Sequence, residues 1–235
     1  MQKRKPHYDL STVQSAVRLR GADAFTATAL IGSQAMGLGI AQAIEAVCSM
    51  SRSDFYKSMT THASSQIWQD VYHPETAGGI AYIKVTLRQM GLLWSSSRRN
   101  EMKRECLQCG KKEMAHTVRD VAYTYKGRHA VIPKVKGWHC FQCREVEFDT
   151  GEGVRFAEAI KQVAKEIDAK AAVELARIRK KLKLTQQEAA LLTGGGLNAF
   201  SRYERGKARP MQSVTNLFKL LDNHPDLLDE ITPGS

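Results

Sequence analysis

Four of the five cysteines form two pairs, Cys106-Leu-Gln-Cys109 and Cys140-Phe-Gln-Cys143, with a long insert between them. Each CxxC knuckle presents two thiolates to one side of a tight turn, and two knuckles complete a tetrahedral shell for one Zn²⁺. The spacing offers no fifth ligand and no open position, so the expected site is structural, one metal per chain. Its binding free energy would then be folding free energy for a segment with little core of its own. A redox role for either CxxC is disfavoured because nothing around it reads as a βαβ unit. His116, His129 and His139 are expected as spectators, with His139 beside Cys140 as the one conceivable ligand swap. Cys48 stands alone. Five cysteines in this arrangement describe a metal site in a reducing compartment rather than a disulfide framework.

A second set of candidates lies upstream: Lys57, Gln69 and Tyr82, with Lys84 two residues beyond Tyr82. A metal-free ribonuclease must draw the proton from a ribose 2′-OH, stabilise the extra charge on the attacked phosphate and orient or protonate the leaving group. A lysine, a tyrosine and a neutral amide can fill those roles. The same residues are equally compatible with a half-buried sheet tyrosine, a solvated lysine at a helix end and a surface glutamine.

The elements that would carry them change character along the chain. Ser11-Thr-Val-Gln14 reads as a capping box opening a helix to about Leu19. Helical spacing follows over 25–36 and 40–47, broken by Gly37 and Gly39, and Ser51 to Asp54 predicts a further short helix through SDFYKSM. IWQDVYH, GIAYIKVTLRQM and GLLWSSS then read as strands, with HPETAGG as a turn. Between the knuckles, VAYTYKGRHAVIPKVKGWHCF predicts two or three strands around a KGRH turn. Beyond TGEGV, Phe156, Ile160, Val163 and Ile167 share a helical face. Thr185-Gln-Gln-Glu188 is a second capping box. GGGLNAFSRYERGKARP and SVTNLFKLLDNHP complete a helix-turn-helix unit of the Cro/repressor type.

In such a unit the second helix, 197–205, enters the major groove. Asn198 and Arg202 are four residues apart and share a face. Asparagine pairs bidentately with adenine and arginine with guanine, while Arg205, Lys207 and Arg209 are placed to hold phosphates. The competing readings make Asn198 an N-cap and Arg202 the partner of Glu188 or Glu204.

The chain of 235 residues carries 35 Lys and Arg against 24 Asp and Glu, a net charge of +11. The excess is shared by the parts before and after Met102, which favours polyanionic partners. The most apolar stretch, from Ala29 to Met50, is interrupted by Gln34, Gln42 and Glu45. It reads as packed helices, so no membrane span is expected and the location should be cytoplasmic. Ser95 to Lys112 reads as a seam: an apolar strand frays out, and Met102 opens a charged run like the start of a second protein.

KRKPH, SDFYKSMTTHASSQIWQDVYHP and YIKVT resemble the MqsR family of toxins, RelE-like endoribonucleases of bacterial toxin–antitoxin systems. The resemblance covers residues 1–98 and maps the family's catalytic Lys, Gln and Tyr onto Lys57, Gln69 and Tyr82. It implies metal-free, ribosome-independent cleavage of messenger RNA at GC-containing sites, leaving a 2′,3′-cyclic phosphate. Gln89 replaces the family's last-strand His, and Arg98 or Arg99 stands where a terminal Lys is expected. His7 matches the family and could lie near the site. From Met102 to about Ile231 the CxxC pairs, DVAYTYKGRH, LTQQEA, GGGLNAFSRYERG and LDNHPDLLDEI resemble the MqsA family of antitoxins. That resemblance implies a zinc-bearing, toxin-binding domain and a dimerising helix-turn-helix domain that represses its own operon, with Asn198 and Arg202 at base-reading positions.

The expected architecture is therefore multidomain α+β. An α+β RelE-like domain (1–98) and a junction (99–105) precede a small zinc-bound, β-rich, toxin-neutralising domain at 106–150. A connecting helix (151–170) then leads to an all-α helix-turn-helix domain (171–235). Expected partners are messenger RNA, operator DNA, a second copy of the chain, and the toxin domain for the zinc domain, within or between chains. The alternative is a DNA-binding regulator whose N-terminal domain is inert and serves only for interaction.

Overall fold

A computed structural model describes residues 1–61, 64–88 and 104–231. Gln89, Arg98, Arg99 and the expected strand GLLWSSS lie outside them. The contacts divide the chain into two units, residues 1–161 and 162–235.

The first unit begins with strand β1 (Gln2–Lys3), followed by helices α1 (Leu10–Arg20), α2 (Ala27–Ala35) and α3 (Ile40–Cys48). The capping signal at Ser11 is displaced by two residues. Asp9 is the N-cap, accepting from the Thr12 amide, and Ser11 itself donates to the Asp9 carboxylate. Strands β2 (Phe55–Thr60), β3 (Trp68–Tyr72) and β6 (Ile83–Val85) join β1 in one antiparallel sheet of order β1-β2-β3-β6, while β4 (Glu75–Thr76) and β5 (Gly79–Ile80) make a small separate hairpin.

DFYKSM is thus a strand, and the predicted helix shrinks to one 3₁₀ turn, Arg52–Asp54. The capping signal is genuine: the Asp54 carboxylate accepts from the Ser51 amide. The chain then extends because Phe55 pairs with Tyr72 and Ser58 with Asp70 in the sheet. Sheet alternation sends Tyr72, Phe55, Ile83 and Val85 to one side, where they pack with Val13 and Val17 of α1 and Val47 of α3. Gln69, Val71 and His73 point to the other side.

The same unit contains a long hairpin, β7 (Met114–Tyr125) and β8 (Arg128–Cys140), with β9 (Val146–Phe148) added on β8. Its turn is Lys126-Gly127, both at positive φ (48° and 72°), the backbone a tight two-residue hairpin requires. Helix α4 (Glu152–Lys181) starts in this unit, where Phe156 packs on Phe148.

In the second unit the end of α4 meets α5 (Gln186–Leu192), α6 (Ala199–Glu204), α7 (Gln212–Asn223) and α8 (Leu227–Ile231). Leu175, Ile178, Ala190, Phe200, Phe218 and Leu221 form its core. The Thr185–Glu188 capping box forms with both reciprocal hydrogen bonds. Among the described residues no single helix is long and apolar enough to cross a membrane.

Candidate functional site

On the sheet face away from the helices, Lys57 of β2 and Lys84 of β6 both pair in register with Val71 of β3. Directly opposed residues of antiparallel strands share a face, so the two lysines flank Val71. One same-face step along β3 in one direction is Gln69; in the other is His73, just past the strand end. The irregularity between Phe55 and Lys57 gives Tyr56 a place on this side. Its ring stacks on His73 (4.6 Å between centroids, 19°), and His73 meets Tyr82 at 5.4 Å. Lys57 Nζ lies 5.4 Å from the Tyr56 ring centroid, and Lys84 Nζ 5.8 Å from that of Tyr82.

Lys57 and Tyr82 therefore belong to one cluster of cations and aromatic rings. Gln69 shares the face but sits at its far end, four residues from His73, or about 13 Å along the strand. It is also buried, 4% exposed, and its Nε2 donates to the Leu107 carbonyl at 2.9 Å. His7 is on the opposite side from all of these. Its ring stacks on Trp68 (5.1 Å) and its amide donates to the buried Asp70 carboxylate; both residues alternate with Gln69 and so face away from it. The expectation that His7 lies near the site is corrected by that alternation. Burial, and then the neighbouring Lys3, hold the His7 imidazole below its usual range.

Tyr56 and His73 did not stand out in the sequence. The available signal was the pairing of Tyr56 with Lys57 in DFYK and the isolated imidazole of VYHP.

Leu107 belongs to the first cysteine knuckle. The four cysteine sulfurs all lie within 4.8 Å of one another, and Cys106–Cys143 and Cys109–Cys140 are each 3.7 Å apart. A tetrahedral ion with bonds of about 2.3 Å needs sulfurs about 3.8 Å apart, so the quartet fits one metal ion. Burial pushes the Cys106 thiol up to about 11 and pushes Cys143 up as well; a bound cation is what would draw thiolates from such a cluster. His139 is not part of the quartet: its Nε2 faces the Val135 carbonyl at 3.0 Å. His116 contacts Asp149, and His129 contacts Thr124.

The knuckle is one point of a broad contact between residues before 89 and residues after 103 within the one chain. The two parts cap each other's helices. Glu145, buried at 4% exposure, accepts from the Thr28 amide at the amino end of α2. Asp23 accepts from the Gly151 and Gly153 amides at the amino end of α4 (2.7 and 2.8 Å). Carboxylates at helix amino ends satisfy free N–H groups and complement the helix dipole. Glu147 bridges Arg88 and Arg104, 2.6 Å from each. Glycine is required where backbones touch: a Cβ on Gly153 would lie 2.6 Å from the Ala22 carbonyl oxygen.

A family model described as "Motility quorum-sensing regulator, toxin of MqsA" matches residues 5–99, and one described as "Antitoxin component of bacterial toxin-antitoxin system, MqsA" matches residues 102–232. The chain is a fusion of an MqsR-family toxin and an MqsA-family antitoxin. Its antitoxin half is 39% identical to Antitoxin MqsA of Escherichia coli (strain K12) over 129 residues, 54% of this chain and 98% of the relative. Its toxin half is 41% identical to mRNA interferase toxin MqsR of the same organism over 87 residues, 37% of this chain and 88% of the relative. The mutual caps and the Gln69–Leu107 bond are therefore contacts between a toxin half and its own antitoxin half.

In the second unit of the antitoxin half, Asn198, Arg202, Arg205 and Lys207 are all exposed. Asn198 occupies the N-cap position of α6 but makes no side-chain cap. Neither acid set against Arg202 engages it: Glu188 closes the α5 capping box, and Glu204 binds Arg179 and Gln186. Arg205 folds back onto Ser201, and Arg209 pairs with Asp168 at 3.0 Å.

Proposed function

We propose that the toxin half is a RelE-like, metal-independent messenger-RNA endoribonuclease restrained by the antitoxin half of the same chain. On this reading residues 1–98 form the nuclease domain. Lys57 stabilises the charge that develops on the attacked phosphate, Tyr82 handles a proton of the transphosphorylation, and Gln69 orients a phosphate oxygen. Attack by the 2′-OH would leave a 2′,3′-cyclic phosphate and a 5′-hydroxyl, at GC-containing sites. The name of the Escherichia coli relative, an mRNA interferase, supports the ribonuclease class.

One contact carries the restraint: the Gln69 amide is occupied by the Leu107 carbonyl of the cysteine knuckle. A phosphate that needed this amide would have to displace the knuckle. Cys106, Cys109, Cys140 and Cys143 would hold a structural Zn²⁺, the ion whose tetrahedral thiolate radius suits their spacing. The metal would thus fix the loop that occupies Gln69.

The second unit is read as a dimerising helix-turn-helix domain that represses its operon. Asn198 and Arg202 read bases, and Arg205 and Lys207 hold phosphates, on half-sites about 34 Å apart. The exposure of all four and the absence of an acidic partner for Arg202 among the described residues support this assignment.

Expression in bacteria tests the proposal. Residues 1–98 alone should arrest growth and degrade RNA, the full chain should not, and Lys57→Ala or Tyr82→Phe should abolish both effects. An inert wild-type 1–98 fragment would favour a DNA-binding regulator with a silent toxin-like domain.

A further inference from the structure

Gln69 lies beneath the first cysteine knuckle, whereas among the described residues the other end of the same sheet face is open. Tyr56 and Tyr82 are each 56% exposed although the cysteine-knuckle part of the antitoxin half packs against the toxin half. Two large rings left in solvent on either side of an imidazole are poor packing but a good surface for flat ligands. His73 ties them together through its ring, for its Nε2 is buried and makes no hydrogen bond among the described residues. The imidazole lies between them as a flat spacer, stacked on Tyr56 and tilted against Tyr82. Lys57 and Lys84 stand over the outer rings. Exposed aromatic faces interleaved with cations are how proteins bind unpaired nucleotides: bases stack on rings while lysines take the phosphates.

We propose that Tyr56, His73 and Tyr82 form a stacking subsite for an unpaired RNA base, with Lys57 and Lys84 as its phosphate contacts, and that it stays open in the intact chain. This rests on the ribonuclease reading, and it adds how substrate is held. The antitoxin half would then block the Gln69 end of the face without preventing RNA from docking at the tyrosine end. His73 is a positioning residue here.

The test is binding rather than cleavage. Fluorescence anisotropy of the full chain is measured with a short, labelled, 2′-O-methylated single-stranded oligoribonucleotide, which cannot undergo 2′-OH attack. Tyr56→Leu should weaken binding about tenfold, as loss of one base–aromatic stack does, and Tyr56→Phe should restore it. His73→Ala should weaken binding, and His73→Phe, which keeps a flat ring, should not. Scanning one abasic nucleotide along the oligomer should find a position that costs the wild type about tenfold and the Tyr56→Leu chain nothing further. Three results would each overturn the subsite: no binding by the intact chain, equal binding by Tyr56→Leu, or abasic and Tyr56→Leu losses that simply multiply at every position. An unmodified oligomer of the same sequence that binds but is left uncut by the freed toxin half would instead sink the ribonuclease reading and leave the subsite standing.

Discussion

The side-chain amide of Gln69 donates a 2.9 Å hydrogen bond to the backbone carbonyl of Leu107, joining β3 of the toxin half to a cysteine knuckle of the antitoxin half. Replacing Gln69 by Ala would leave that carbonyl without its donor in a closed interface, at a cost of about 1–3 kcal/mol. Gln69→Glu should cost more, because a carboxylate would oppose the carbonyl. Titration of separately produced halves against each other should show both losses as weaker association. Equal affinity for wild type and Gln69→Ala would mean that the bond contributes nothing to restraint.

Glu147 holds Arg88 and Arg104 from the two halves at once, and burial lowers the Arg104 guanidinium to about 10. Glu147→Ala would leave two arginines facing each other. All three side chains are partly exposed, so the expected loss is about 2 kcal/mol, below that for a fully buried pair. A double-mutant cycle with Arg88→Ala, read by chemical denaturation of the full chain, should return a non-zero coupling between Arg88 and Glu147.

The contact between Asp23, Ala22 and the amino end of α4 makes an unequal pair of predictions. Asp23→Ala removes the acceptor for two amides at the amino end of α4 and should cost about 1 kcal/mol. Gly153→Ala meets the Ala22 backbone, which has no flexible side chain to yield. It should weaken the association of the halves more than Asp23→Ala, although alanine is the better helix former. The same titration measures both.

In the second unit, acid should act through Glu204. Burial alone would raise its carboxyl, but the bonds from Arg179 and Gln186 hold it below the usual carboxylate range. The folded state therefore binds its proton less readily than the unfolded state. The stabilisation is complete above the unfolded value, about 4.5, and is lost as pH falls through the folded one. Glu204→Gln should cost about 1–3 kcal/mol at pH 7, and the difference from wild type should shrink below pH 4. Urea melts across that range, followed by amide resonances of α6, check it.

What the sequence made legible was chemistry encoded locally. The cysteine quartet needs only four residues and two turns, and the Thr185–Glu188 box needs only four consecutive positions. The error at DFYKSM arose where local signals conflicted. A true cap at Ser51–Asp54 was followed by Phe55 and Met59 at helical spacing, while the deciding interactions, Phe55 with Tyr72 and Met59 with Gln69, come from a strand farther along the chain. Placement of Gln69 under Leu107, of Glu145 on α2 and of His73 between two tyrosines depends on contacts that no periodicity records.

The central claim is that a ribonuclease is kept silent by a metal-stapled knuckle of its own chain. It is tested most directly by assaying RNA cleavage by the intact, metal-loaded chain before and after a chelator strips the cysteine quartet, with Lys57→Ala in the same chain as control. The account predicts no cleavage before, cleavage after, and none from Lys57→Ala in either state. Equal cleavage before and after, or cleavage that survives Lys57→Ala, would contradict it.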